Sequence, residues 1–391
     1  MNILFFYRIY PNYGGVEVVT TILANKFVLD GNKVTILSIE QPHIELASQL
    51  SDGIEIKKID YPVYSKKNIQ AVKKIIEEKN IDIIVNQWGL PFNTTRLFYH
   101  AIKGSKCKLV SVLHGSPYTS KVVIKAQDKI DAADNIISKS FYRVIKYLKE
   151  AVIKASIRYA CRRNEKYILL SKSFIKPLID YAHLKSDENI VAIGNPVTVP
   201  VDLKGFSLDK KKKQLLYVGR MDFENKRVNR ILEAWENVWK DYPKWSLVLV
   251  GDGPHKKELQ EYVEQNHIGN VRFEGFQADP PVNYYKDASI FMLTSDLEGF
   301  GLVIIESMSF GVVPVVYGSY EAVYDIIRDG KSGFITSQPY NKHITVEKIK
   351  YLMDNDMQRQ IMAKEAMIDA SRFTIDSVSE KWYKLFDDVL K

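Results

Sequence analysis

Residues 289–306 read SIFMLTSDLEGFGLVIIE, and the reading of this stretch decides the fold. Its first half is a short apolar run, the length of one strand buried on both faces. Gly299 and Gly301 then bracket Phe300, and a second apolar run with helical spacing starts at Leu302. Strand, glycine turn and helix in that order make one step of a parallel sheet, because a parallel strand must be followed by a crossover. Free N–H groups at such a helix start attract anions, and glycines let a ligand approach the backbone. Two carboxylates flank the turn, Glu298 before the helix and Glu306 one turn beyond Leu302 on the same face. A carboxylate at Glu306 accepts hydrogen bonds from paired hydroxyls such as a ribose offers. The plain alternative makes Glu306 a solvated helix residue and Glu298 a helix cap. The stretch alone leaves both readings open.

Working outward, the same step recurs. NILFFY, KVTILSI, IDIIVNQ, KLVSVLH and KYILLS are short β-branched or aromatic runs, with helical patterns such as VEVVTTILANKFVLD and NIQAVKKIIEEKN between them. VAIGNPVTVP, with Pro196 and Pro200, interrupts the series, and the charged DLKGFSLDKKKKQ follows it. A second series runs LLYVGR, WSLVLVG, VRFEGF, SIFMLTS and VVPVVY. The economical reading is an α/β chain of two doubly wound, Rossmann-like sheets joined near residues 195–212, with ligand expected at the carboxyl ends of the strands. FTIDSVSEKWYKLFDDVLK reads as a terminal amphipathic helix.

Composition agrees with two domains. The 391 residues exceed one ordinary core, and 46% apolar with 26% charged residues is a globular balance. No run approaches the ~18 apolar residues of a membrane span. The opening MNILFFYRIYPNYGG lacks a basic n-region and reads as a first strand rather than a signal peptide. Cys107 and Cys161 have no paired spacing, which suits a reducing cytosol. The net charge is +8, yet residues 120–166 alone hold 12 Lys and Arg against 5 Asp and Glu. The remainder is close to neutral, which argues against a nucleic-acid-coating protein.

Three further features sit at predicted strand ends. LLYVGRMDFENK carries Gly219, Arg220 and Lys226, and two cations there neutralise a diphosphate through charge-assisted bonds without a metal; an ordinary basic loop is the other reading. Gly14 and Gly15 follow the first strand and open a helix, so their amides are candidates for the same ligand. His114, in VSVLHGSP, is the histidine best placed for a site, although a strand-end histidine also serves as structure. The metal readings are poor. There is no His-x3-His, no cysteine cluster and no Walker A motif, and the Asp354-x-Asp356 pair falls between C-terminal helices.

Taken in order, these pieces resemble the retaining GT-B glycosyltransferases of family 4. The likeness spans nearly the whole chain: GGVE after the first strand, the His-Gly of LHG, NPV, GR followed by Lys226, LVGDGP, VRFEGF, the E-x7-E of EGFGLVIIE, and DGKSGFI. It implies a GT-B fold of two Rossmann-like domains facing across a cleft: residues 1–196 for the acceptor, 197–372 for the nucleotide sugar, and a helix at 373–391 returning to the first domain. It implies that Arg220 and Lys226 bind the donor diphosphate, beside Gly219, and that Glu306 holds the ribose. Glu298 would contact the donor sugar, with Gly299 and the Phe300, Gly301 and Leu302 amides near sugar and phosphates. Gly14 and Gly15 would face the diphosphate, His114 the transferred sugar, and Gly275-Phe276 the base. No cofactor and no metal is implied, which sets the chain apart from the metal-dependent GT-A class; the substrate is a UDP- or GDP-linked sugar. The implied acceptor is a glycan or lipid-linked glycan of bacterial surface polysaccharide synthesis, the implied location the cytoplasm or the inner face of the cell membrane. A sugar-nucleotide epimerase and a catalytically silent GT-B partner share the architecture. The chain departs from the pattern at Arg227, where many members have Gly, and at VVYGSYEAV, which replaces a more glycine-rich loop.

An insert at about 119–165 is individual to this chain. Within its helix 141–163, Arg143, Lys146, Glu150, Lys154, Arg158 and Arg162 recur every three or four positions, opposite Val144, Leu148, Ala151, Val152, Ala155 and Tyr159. Such a basic amphipathic helix either lies on an anionic membrane surface or packs on its own domain with the basic face in solvent.

Overall fold

The computed structural model describes residues 1–118 and 120–391. Thr119, the first residue of the anticipated insert, lies outside the described residues, as does the Lys121 side chain. The chain divides into two compact units, residues 1–195 with 375–391, and residues 196–374.

Unit 1 is built on β1 (Asn2–Phe6), β2 (Lys33–Ser38), β3 (Glu55–Lys58), β4 (Ile83–Asn86), β5 (Lys108–Leu113), β6 (Lys166–Leu169) and β7 (Ile190–Ala192). Their order is β3-β2-β1-β4-β5-β6-β7, with every ladder parallel. Ile3, Leu4, Phe5 and Phe6 are fully buried, so the central strand is apolar at successive positions rather than at alternate ones. β1 pairs with β2 on one side and β4 on the other, which puts the topological switch at the β1/β4 junction. The crossovers are α1 (Gly15–Leu29), α2 (Lys66–Lys79), α3 (Phe92–Ala101), α4 (Lys121–Asp131), α5 (Ile136–Arg163) and α6 (Ile175–Ala182). Both cysteines are free thiols.

Unit 2 repeats the plan with β8 (Gln214–Val218), β9 (Ser246–Val250), β10 (Val271–Gly275), β11 (Ile290–Leu293), β12 (Val313–Tyr317) and β13 (Phe334–Thr336). The parallel order β10-β9-β8-β11-β12-β13 places its switch between β8 and β11. Its helices are α7 (Val228–Glu236), α8 (Lys256–Gln265), α9 (Val282–Asp287), α10 (Leu302–Ser309), α11 (Ala322–Ile326), α12 (Lys342–Asp354) and α13 (Asp356–Ser371). These two parallel-sheet, Rossmann-like units are the halves of a GT-B fold.

The last helix, α14 (Ile375–Leu390), belongs to unit 1. Val378, Trp382, Leu385, Phe386 and Val389 form its buried face. It covers α1: the Phe27 ring lies 5.3 Å from the tilted ring of Tyr383 and 5.6 Å, edge-on, from that of Phe386, and the Tyr383 hydroxyl donates to Asp30 at 2.7 Å.

The insert helix packs on its own domain, but with the faces the other way round from the reading that left the basic face in solvent. α5 starts earlier, at Ile136, capped by the Asn135 side chain. Its basic face is not the solvated one. Lys146 donates to Gln127 of α4, Lys154 lies 4.9 Å from the Tyr181 ring, and Arg158 donates to the Ala182 carbonyl. Val144, Leu148, Ala151 and Val152 are exposed instead. The long stems of Lys and Arg lie along the domain while their heads find acceptors, which lets a basic face pack inward. Arg143 and Arg162 alone of the basic series stay exposed.

Candidate active site

Unit 2 assembles its charged residues at the β8/β11 switch. After β8 the chain turns sharply, and the β9 loop braces it: Gly219 N–H donates to Val250, Met221 N–H to Asp252, and His255 N–H back to Met221. A Cβ on Gly251 would fall 2.0 Å from the Gly219 carbonyl oxygen, so the LVGDGP motif works by letting two loops touch. Asp222, nearly buried, accepts the Asn225 and Lys226 amides at 2.7 and 2.8 Å and closes the loop. Arg220 stands at its mouth, its side chain 65% exposed and 3.6 Å from Asp222. Lys226 reaches across to β11's loop and pairs with Glu298 at 2.6 Å. Arg220, Lys226 and Glu298 thus share one rim, with the cations on a single loop.

Arg227 has φ 50°, the left-handed region that favours glycine. That explains the glycine that many family members have at this position. The guanidinium offsets the strain by pairing with Asp296 at 2.5 Å, whose other oxygen holds Arg230 at 2.6 Å. The Asp296 amide in turn donates to Asn225, tying the two loops together.

The opening stretch folds as strand, turn and helix. Gly301, with φ 91°, is the N-cap of α10, and no side chain caps the first turn. Phe300 is buried, packs at 5.4 Å against Phe373, and its carbonyl accepts from Tyr320. Tyr320 comes from VVYGSYEAV, so this atypical loop props the glycine turn from below. Glu306 is neither solvated nor a surface acid: it is 6% exposed, and burial raises its pKa above the usual carboxylate range. Its oxygens accept from the Thr198 and Tyr285 hydroxyls, the latter at 2.8 Å. Both partners escaped the sequence reading; the signal for Thr198 was its place directly after the NPV motif. Glu298 does not cap the helix. Gly275, with φ 73°, ends β10, and Phe276 beside it is 58% exposed.

Unit 1 places Gly14, Gly15 and His114 at the ends of β1 and β5, around its own switch. Gly14 is the N-cap of α1, which starts at Gly15. A Cβ on Gly14 would lie 2.3 Å from Glu17 Oε2, so the Glu17 carboxylate folds back over the helix start. It is buried, which raises its pKa, and it accepts from Asn12 at 3.3 Å. His114 meets Gln87 at 2.5 Å through Nε2. Gln87 Oε1 only accepts, so Nε2 carries the proton and Nδ1 keeps its lone pair. Burial pushes the imidazole down to about 3, which keeps it neutral. His114 Nδ1, Gln87 Nε2 and Ser116 Oγ are buried without a hydrogen-bond partner. Gln87 and Ser116 were not singled out from sequence, although Gln87 ends the IDIIVNQ run.

Among the described residues no group of three or more metal-ligating side chains comes together. Asp354 instead accepts from Tyr242, and Asp356 pairs with Arg359.

Comparison with known proteins bears on this arrangement. The family model for glycosyl transferases group 1 matches residues 201–368, and that for Glycosyltransferase Family 4 matches residues 13–199. An uncharacterized glycosyltransferase of Haemophilus influenzae is 29% identical over 50% of this chain and 54% of its own length, so the match spans about half of that relative. N-acetyl-alpha-D-glucosaminyl L-malate synthase of Bacillus anthracis is 21% identical over 98% of this chain and 96% of its own. HepE of Anabaena, solved with UDP and glucose, superposes with a TM-score of 0.73 at 17% identity, covering 99% of this chain and all of that one. The two family models adjoin at the passage between the units, and the chain belongs to the GT-B glycosyltransferases of family 4.

Proposed function

We propose that this chain is a retaining, metal-independent glycosyltransferase that moves a hexosyl residue from a nucleoside diphosphate sugar to a glycan or lipid-linked acceptor in bacterial surface polysaccharide synthesis. It works in the cytoplasm or at the inner face of the cell membrane. The observation that carries this reading is the rim of unit 2, where exposed Arg220 stands on the same loop as the Lys226–Glu298 pair. A UDP- or GDP-linked donor exchanges partners there: its diphosphate takes Lys226 from Glu298, and Glu298 turns to the sugar hydroxyls. Gly219 and the uncapped amides at Gly299–Leu302 receive the phosphates. Gly275 and Phe276 meet the base, and Glu306, with lone pairs beyond those used by Thr198 and Tyr285, meets the ribose. The solution of HepE with UDP and glucose supports such a donor.

Cleaving the sugar–phosphate bond leaves an oxocarbenium-like sugar and a nucleoside diphosphate anion. Arg220 and Lys226 are fixed where that charge grows, and each such donor group contributes about 3–4 kcal/mol to the transition state. The acceptor attacks from the leaving-group side, and a phosphate oxygen takes its proton, so no protein nucleophile is required. In unit 1, neutral His114 accepts from a hydroxyl of the transferred sugar through Nδ1, and Gly14 and Gly15 present amides to the diphosphate once Glu17 swings aside.

Calorimetric titration of the purified protein with UDP, GDP and ADP in EDTA tests the donor site. Micromolar binding of one nucleotide, lost in Arg220→Ala, is the expected result; binding that needs added metal overturns metal independence. Turnover of the donor without any acceptor would put an epimerase in place of the transferase.

A further inference from the structure

α5 carries an apolar stripe with nothing over it. Ile137, Phe141, Val144, Leu148 and Val152 are 83, 61, 58, 57 and 67% exposed. They follow one another at i, i+4, i+7, i+11 and i+15, which is a single helix face over four turns. A contiguous exposed patch of this kind marks an interaction surface rather than scattered surface residues. The stripe runs at its C-terminal end into a groove of about 450 Å³ lined by Phe92, Val152 and Tyr159 with Arg158, Arg162 and Arg163. The Phe92 and Tyr159 rings pack 4.4 Å apart and form its aromatic wall. Arg163 lies 4.5 Å over the Tyr99 ring and donates to its hydroxyl, while Arg158 holds the Ala182 carbonyl. Among the described residues no carboxylate stands within 4.0 Å of these three guanidiniums, so each keeps N–H groups for an anion.

We infer that the α5 stripe and the arginine groove dock this protein on an anionic phospholipid bilayer, with the stripe at the acyl boundary and lipid phosphates in the groove. The charge of the region selects this occupant. Residues 120–166 carry 12 Lys and Arg against 5 Asp and Glu, so a second copy pairing through the same face would bring like charges together. A bilayer surface of anionic lipid supplies the opposite sign, and aromatic rings beside guanidiniums suit the headgroup layer. No helix of the described residues is long and apolar enough to cross the membrane, which leaves a peripheral mode for this face. The arrangement bears on the acceptor side of the proposed transfer, but vesicle binding is read without turnover.

Co-sedimentation of the full chain with vesicles of phosphatidylcholine alone, or mixed with phosphatidylglycerol, tests it. At least tenfold stronger partition onto the mixed vesicles is expected, weakening as NaCl is raised. Phe141→Glu with Leu148→Glu should lower that partition tenfold or more, and Arg162→Ala with Arg163→Ala several-fold. Nucleotide affinity should stay unchanged in both variants, and thermal unfolding in the Phe141→Glu, Leu148→Glu variant, which separates docking from folding. Wild-type protein that ignores the mixed vesicles, or the Phe141/Leu148 variant partitioning as the wild type does, overturns the inference. So does equal binding to neutral vesicles. Sedimentation of the wild type as a dimer that the Phe141→Glu, Leu148→Glu variant disperses assigns the face to a second copy instead. Vesicle binding without binding of UDP, GDP or ADP would sink the donor site and leave this inference standing, and the converse result would do the reverse.

Discussion

The two switch points of this molecule solve opposite electrostatic problems. In unit 2 the β8/β11 rim is fully charged and internally matched: Lys226 with Glu298, Arg227 and Arg230 with Asp296, Asp222 with two loop amides. In unit 1 the β1/β4 region is poor in ion pairs and is under-matched. His114 is uncharged, burial raises the pKa of Glu17, Tyr7 is pushed up to about 12, and three buried polar atoms have no partner. Buried polar groups without partners are costly, and a ligand that supplies them gains what the fold forgoes. The contrast divides the labour. Ion pairs that exchange partners suit a diphosphate, whereas neutral orphan donors and acceptors suit sugar hydroxyls.

The contrast breaks most visibly if the charges of unit 2 are removed. Arg220→Ala and Lys226→Ala should each lower kcat/KM by about 10²–10³-fold with the fold intact, measured with the nucleotide sugar that binds best. Undiminished turnover by both variants would end the diphosphate assignment. Gln87→Leu sharpens the unit 1 side. Loss of one hydrogen bond that fixes the His114 tautomer should lower kcat by about 10-fold while UDP affinity holds, a split that simple unfolding would not produce. A fall in UDP affinity matching the fall in kcat would move Gln87 to the diphosphate.

Glu17→Gln probes the burial of that carboxyl group. A carboxylate whose folded pKa is raised by burial favours the protonated fold, so wild-type stability is greatest below the ordinary carboxylate range and declines as pH rises through the raised value. The Gln variant should therefore melt higher at pH 7, by roughly 2–4 °C, and the gap should close on acidification. A gap independent of pH would mean that Glu17 is not desolvated. The smallest effect belongs to Arg227→Gly. Relief of about 1–2 kcal/mol of left-handed strain opposes loss of a partly exposed ion pair that contributes at most about 1 kcal/mol. Unfolding curves should differ by only a few degrees, and Asp296→Ala should cost more because it frees Arg230 as well.

How much of this was legible in the sequence depends on where each residue finds its partners. β1 and β11 are apolar at successive positions because sheet neighbours and helices cover both faces, and such runs stand out. The edge strands β3, with sequence EIKK, β7 and β13 are short or polar and gave no comparable signal. For α5 the periodicity defined two faces but could not say which one the domain would cover, since that depends on acceptors such as Gln127 and the Ala182 carbonyl. Arg220, Lys226, Glu298 and Glu306 were visible as motif residues. Their keepers were not: Thr198 lies 108 positions from Glu306, and Lys226 lies 72 from Glu298.

The return of α14 to unit 1 has a consequence in time. On the ribosome, Phe27 on α1 emerges early, but Phe386 and Tyr383, which cover it, emerge only after residues 196–374 have been made. At the usual elongation rates that interval is on the order of 10–40 s. Throughout it the nascent first unit displays an unfinished apolar flank, and the second unit has its whole sequence before the first does. The part of the protein translated first is thus the last to be completed.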